Sequence, residues 1–155
     1  MLKVASYDVV FQEIPGEVTL ALNLSGCPCH CPGCHSQHLW EDIGENLTEE
    51  LLDALIAQYA GLITCVCFMG GDQDPTEVEH LAEHIHTTPY ALFSTPLKTA
   101  WYSGRMNMPK DGFDYVKLGG FVEALGGLKS PTTNQRLYKR VREEWQDITA
   151  LFWKK

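Results

Sequence analysis

Leu62-Ile63-Thr64-Cys65-Val66-Cys67-Phe68-Met69, closed by Gly70-Gly71-Asp72, is the stretch on which the fold turns. Nearly every residue before the glycines is apolar and β-prone, as in a strand buried on both faces of a parallel sheet. A helix start follows at once. Asp74 can cap it, Pro75 suits the first helical position, and Glu77 stands where a capping-box carboxylate would. Val78, Leu81, Ala82 and Ile85 then recur at helical spacing as an inward stripe. Upstream, Val18, Leu20, Leu22 and Leu24 alternate with smaller or polar residues, the period of a half-buried strand. Thr48 can cap a second helix carrying Leu51, Leu52, Leu55, Ile56 and Tyr59 on one face. Downstream, Leu97–Tyr102 and Phe113–Leu118 read as strands, each closed by glycine, and Leu137–Phe152 reads as a final helix. This β-loop-α order predicts an α/β fold with a largely parallel sheet, in a single domain spanning residues 1–155.

The composition agrees with a globular chain, 45% apolar and 21% charged over 155 residues. A formal charge of −8 argues against a general nucleic-acid binder, which would present a basic face. The charge is unevenly placed. Residues 1–127 hold 5 basic and 17 acidic side chains, net −12, whereas residues 128–155 hold 7 and 3, net +4. The basic part, around Arg136, Lys139, Arg140 and Arg142, reads equally as a dock for an acidic partner and as a solvated face. No basic segment followed by an apolar run opens the chain, and no apolar run is long enough to cross a bilayer. The expectation is a cytoplasmic protein with no membrane contact, whose thiols serve metal binding or catalysis rather than disulfides.

Directly after the first predicted strand comes Ser25-Gly26-Cys27-Pro28-Cys29-His30-Cys31-Pro32-Gly33-Cys34-His35, with four of the six cysteines inside eight residues. In a parallel sheet, ligands gather at the carboxyl ends of the strands, and both this run and Gly70-Gly71-Asp72 fall there. Four chemistries compete. Cys31-Pro32-Gly33-Cys34-His35 fits covalent haem attachment, but such proteins are normally exported. Cys31-Pro32-Gly33-Cys34 alone fits a thioredoxin-like redox pair, which leaves Cys27 and Cys29 unexplained. Structural zinc, held by four cysteines or by three with His30 or His35, would staple very little chain from one loop. The fourth reading is an iron–sulfur cluster: Cys27-x-x-x-Cys31-x-x-Cys34 supplies three thiolates, enough for three corners of a 4Fe–4S cube. Asp72-Gln73-Asp74 matches a calcium loop poorly, lacking its glycine and terminal glutamate.

That spacing resembles the radical S-adenosylmethionine superfamily, and Gly70-Gly71-Asp72 is similar to its Gly-Gly-Glu loop. A narrower resemblance lies downstream. Leu97-Lys98-Thr99-Ala100-Trp101-Tyr102-Ser103-Gly104-Arg105, Asp114-Tyr115-Val116-Lys117-Leu118-Gly119 and Gly126-Gly127-Leu128-Lys129-Ser130-Pro131-Thr132-Thr133-Asn134-Gln135-Arg136 resemble the activating proteins of anaerobic ribonucleotide reductases, over roughly residues 14–140. The resemblance implies a reduced, partial (βα) barrel and an oxidoreductase that forms a 5′-deoxyadenosyl radical, which takes hydrogen from a glycine of the large catalytic subunit of the reductase. Cys27, Cys31 and Cys34 would ligate a 4Fe–4S cluster with one open iron, and Cys29 would be a bystander. Gly33, Cys34 and His35 would lie against the adenosyl part of S-adenosylmethionine, Gly70, Gly71 and Asp72 against its methionyl end, with Ser103 and Lys117 reaching the ribose or carboxylate. No catalytic residue beyond the cluster ligands is implied. The sequence leaves the electron donor open among a flavodoxin, a ferredoxin and a thiol system. Two rivals share these residues: a small-molecule radical synthase of the deazaguanine-forming type, and a zinc-binding interaction module.

Elsewhere Cys65 and Cys67 read as small apolar residues of the sheet. His80, His84 and His86 fall on or just past the second helix and read as exposed, and Trp145 and Trp153 read as packing or contact residues of the last helix.

Overall fold

The computed structural model describes residues 2–11, 13–25, 44–59, 61–88, 97–104, 113–120, 124–142 and 144–153. In chain order the elements are β1 (Lys3–Val10), β2 (Thr19–Leu24), β3 (Glu45–Asn46), α1 (Glu49–Gln58), β4 (Cys65–Met69), α2 (Pro75–Thr87), β5 (Lys98–Tyr102), β6 (Tyr115–Leu118), β7 (Arg136–Val141), β8 (Glu144–Asp147) and a 3-10 turn at Thr149–Trp153. The eight strands form one sheet in the order β3-β1-β2-β4-β5-β6-β7-β8. Its centre, β2-β4-β5-β6, is parallel. Both flanks are antiparallel, so the sheet is mixed rather than largely parallel.

The two helices start where their capping residues stand. Thr48 Oγ1 accepts the Leu51 amide at 3.1 Å, and Asp74 Oδ1 accepts the Glu77 amide at 3.4 Å. Leu52, Leu55 and Ile56 of α1 and Val78, Leu81, Ala82 and Ile85 of α2 pack on one face of the sheet, against Leu20, Leu22, Leu24, Val66, Phe68, Trp101 and Val116. Each of the larger side chains contributes about 1.5–3 kcal/mol by leaving water. Alternation sends Cys65, Cys67, Ala100, Tyr115 and Leu137 to the opposite face, where Ile14 of the β1–β2 connection covers them. Both described helices therefore lie on one side. β2 is buried on both sides except at Asn23, where a half-buried strand was expected.

The expected helix over Leu137–Phe152 is instead a β-hairpin followed by the 3-10 turn. β7 pairs with the open edge of β6, Lys117 opposite Leu137 and Tyr115 opposite Lys139. Leu137 is sealed beneath that ladder at 0% exposure, and Tyr138 packs on the helical face. Val141 faces Glu144 across the hairpin turn, and Arg142 stands there at φ +60. Leucine and aromatic residues at helical spacing are outweighed here by an unpaired strand edge, whose N–H and C=O groups demand partners. Trp145 accordingly lies in β8, with the Arg140 guanidinium 5.4 Å from its ring. β1 was not anticipated at all. Its middle, Ser6–Asp8, is exposed and carries little apolar pattern, and it forms by pairing with β2.

Candidate functional site

The parallel strands end side by side, and of the residues expected to act Gly70, Gly71, Asp72, Ser103 and Lys117 are described and collect at that edge. Asn23 of β2, Met69 of β4, Tyr102 of β5 and Lys117 of β6 are successive register partners. They form one row across four strands, about 14 Å long at ordinary strand spacing, and all point to the face opposite α1 and α2. The Lys117 ammonium sits 5.6 Å from the centre of the Tyr102 ring and donates to the Gly119 carbonyl at 2.8 Å. The Tyr102 hydroxyl donates to the Glu13 carbonyl, and burial pushes its pKa well above the phenolic range. Asn23 donates to Ser6 Oγ at 3.0 Å. Of these four only Lys117 was anticipated, because a register row is a property of the sheet and leaves no local mark in sequence.

β2 ends at Leu24, and Cys27 follows three residues later. Cys27, Cys31, Gly33, Cys34 and His35, with Cys29, lie outside the described residues. The root of that segment is nonetheless well fixed. Ser25 N donates to the Lys3 carbonyl at 3.0 Å, and the Ser25 carbonyl accepts Gln73 Nε2 at 2.9 Å. Gln73 belongs to the turn between β4 and α2, so the start of the cysteine run is tied to Gly70-Gly71-Asp72.

Both glycines of that turn occupy the left-handed region, at φ +102 and +85. A Cβ on Gly71 would stand 2.7 Å from Val78 Cγ2 and 2.9 Å from Leu24 Cδ1, and one on Gly70 would stand 3.1 Å from the Leu24 carbonyl oxygen. Their bareness thus lets the turn lie against the end of β2 and the first turn of α2. The Gly70 carbonyl is capped by Trp101 Nε1 at 2.7 Å. Asp72 turns inward, 1% exposed, and accepts Ser103 Oγ at 2.5 Å and the Gly104 amide at 2.9 Å. Ser103 N in turn donates to the Lys117 carbonyl at 2.8 Å. Gly70, Gly71, Asp72, Ser103 and Lys117 are therefore brought together along one edge, with Asp72 and Ser103 bonded to each other.

Beyond β6, the Asn134-Gln135-Arg136 segment folds over the same edge. Gln135 Nε2 donates to the Gly119 carbonyl at 3.3 Å and Asn134 Nδ2 to the Gly120 carbonyl at 3.2 Å, while Arg136 opens β7 and meets Asp147 at 3.6 Å. At the opposite end of the sheet, Glu17 accepts Thr64 Oγ1 at 2.8 Å, Lys98 Nζ at 2.7 Å and the Tyr115 hydroxyl at 2.9 Å. Burial raises the Glu17 pKa, but those hydrogen bonds outweigh it and leave the carboxyl below its ordinary value.

Cys65 and Cys67 are both 0% exposed in β4, and burial pushes both thiols up, which favours the protonated form that does not bind metal. Thiolate ligands must come from the four cysteines between Cys27 and Cys34.

Residues 15–103 match the 4Fe-4S single cluster domain. That is more than half of the 155 residues, and the chain belongs to this family. It is an iron–sulfur protein. The matched stretch runs from the middle of the β1–β2 connection to Ser103 and contains all four clustered cysteines, while Lys117 and Asn134 lie beyond it. No curated protein and no solved structure matches the chain. Among the described residues, no helix is long and apolar enough to cross a membrane.

Proposed function

We propose that this iron–sulfur protein is a radical S-adenosylmethionine enzyme, the cytoplasmic activase of an anaerobic ribonucleotide reductase. One observation carries the reading: the Cys27-x-x-x-Cys31-x-x-Cys34 run leaves β2 from a root hydrogen-bonded to the Gly70-Gly71-Asp72 turn. Three thiolates at this spacing hold a 4Fe–4S cluster by three irons, and when bound it supplies the electron that cleaves S-adenosylmethionine to methionine and a 5′-deoxyadenosyl radical. The chain's own part is to bind and orient. Cys27, Cys31 and Cys34 would hold the cluster, and Gly33, Cys34 and His35 would flank the adenosyl group. The turn at Gly70 and Gly71 lies next to the methionyl end. Asp72 fixes Ser103 beside it, and Lys117 presents the one positive charge of the register row.

No acid–base pair is required of the protein in such chemistry. The substrate would be a glycine Cα in the large catalytic subunit, and a flavodoxin or ferredoxin would deliver the electron.

The test is anaerobic incubation of the iron-loaded protein with S-adenosylmethionine, a reductant and the reductase subunit. Formation of 5′-deoxyadenosine together with a glycyl radical signal supports the activase. Cleavage without a glycyl radical redirects the assignment to a small-molecule synthase. Iron-loaded protein that yields neither product refutes the radical reading.

A further inference from the structure

We propose that His80 and His84 of α2, with Glu49 of α1, bind one divalent cation of the zinc class on the outside of the helical layer. His80 and His84 are four residues apart, so their side chains leave the same face of the helix. Glu49, the first residue of α1, sits between them. Its Oε1 is 2.8 Å from His80 Nε2 and its Oε2 is 3.5 Å from His84 Nδ1. Nitrogen and oxygen donors stand about 2.0–2.2 Å from zinc, hence about 3.3 Å from each other in a tetrahedron. The two separations lie on either side of that value.

The other His84 nitrogen explains which atom would bind. His84 Nε2 lies 2.9 Å from Asp53 Oδ1. With its hydrogen on Nε2 the ring donates to Asp53, which leaves the lone pair of Nδ1 turned toward Glu49. Carboxylates set the tautomer of metal-binding histidines in this way. Thr88 Oγ1 is the other neighbour of Nδ1, at 3.5 Å, but it donates its hydrogen to the His84 carbonyl at 2.6 Å.

As they stand, the donors are paired by hydrogen bonds and no three surround a common point. His80 and Glu49 are 54% and 42% exposed and can turn, whereas His84, 18% exposed and held by Asp53, provides the fixed point. Two imidazoles and a carboxylate suit zinc, and water completes the set. The site would clamp α1 to α2. It is chemically separate from the thiolates of the cysteine run, and His86, which faces Asp114 at 3.3 Å, is no part of it.

The test titrates cluster-loaded protein anaerobically with Zn2+ against a chromophoric chelator. One equivalent is expected to bind outside the cluster, with affinity falling at least ~10-fold in His80→Ala and in His84→Ala, less in Asp53→Asn, and unchanged in His86→Ala. Added zinc should raise the melting temperature of the wild type and not that of His84→Ala. Absence of a bound equivalent overturns the proposal, as does uptake unchanged by His80→Ala and His84→Ala. So does an equivalent lost on replacing Cys27, Cys31 and Cys34 rather than the histidines.

Discussion

Asp72 holds Ser103 across the edge of the sheet: Oδ1 accepts the Ser103 hydroxyl at 2.5 Å while Oδ2 accepts the Gly104 amide at 2.9 Å. The carboxylate is 1% exposed, so it acts as a buckle between the β4 and β5 ends rather than as an open ligand. Asp72→Ala would take one acceptor from the buried Ser103 hydroxyl and one from the part-buried Gly104 amide, at up to about 1–3 kcal/mol for a buried bond left unmade. The expected outcome is a melting temperature lower by several degrees, read by thermal unfolding. Asp72→Asn keeps one acceptor and should lose less. Equal stability of all three proteins would remove the buckle from the account.

Gly71 and Gly16 make a matched pair for the turn itself. Both sit at positive φ, +85 and +82, but an added Cβ meets nothing within 4 Å at Gly16 and two side chains below 3.0 Å at Gly71. Gly16→Ala should therefore show the conformational penalty alone, about 1–2 kcal/mol. Gly71→Ala should add an overpacking penalty of about 1–3 kcal/mol. Denaturant unfolding of the two variants checks the difference, and Gly71→Ala no worse than Gly16→Ala would show that the turn has slack.

Much of this edge was readable before folding. Alternation and apolar runs placed β2, β4, β5 and β6, and the capping residues Thr48 and Asp74 placed both helices, because each signal is local and each is decided by burial of one face. What escaped notice depended on pairing. β1 forms on β2, and β7 on β6, through backbone groups that every sequence possesses, so Lys3–Val10 carried no distinctive pattern and Leu137–Phe152 carried a misleading one. The histidines escaped for a similar reason. His84 proves mostly shielded, because α1 brings Asp53 and Glu49 across from another part of the chain.

Glu17 gives the acid side of stability a specific source. Its folded pKa lies below the ordinary 4.5, so the ionised form is favoured by folding. Its contribution is fully present above the unfolded pKa and disappears as pH falls through the lower folded value. Lys98, raised above its ordinary 10.5 mainly by the Glu17 hydrogen bond, behaves in the opposite sense. Its contribution is present below 10.5 and is lost as pH rises through the raised folded value. Glu17→Gln should therefore lower the melting temperature near neutrality and flatten its fall below pH about 4.5. Parallel melting curves for wild type and variant across that range would assign the acid transition to other carboxylates.

The cysteines divide into a group that can reach metal and a group that cannot, and iron analysis can separate them. Cys67 is 0% exposed with a thiol pushed far up by burial, so Cys67→Ala removes one packed atom and no ligand. It should retain the wild-type iron content, about four per chain for one cube, with only a modest loss of stability. Cys27→Ala, Cys31→Ala and Cys34→Ala each remove a thiolate from the proposed three-plus-two spacing and should lose most of the iron and the brown absorption. Cys29→Ala is the decisive case. If the cube is held by three cysteines, this variant keeps its iron and its S-adenosylmethionine cleavage, since the fourth iron was never bound by the chain. Loss of iron in Cys29→Ala as well as in the other three variants would make four protein ligands and close the corner on which the radical reading depends.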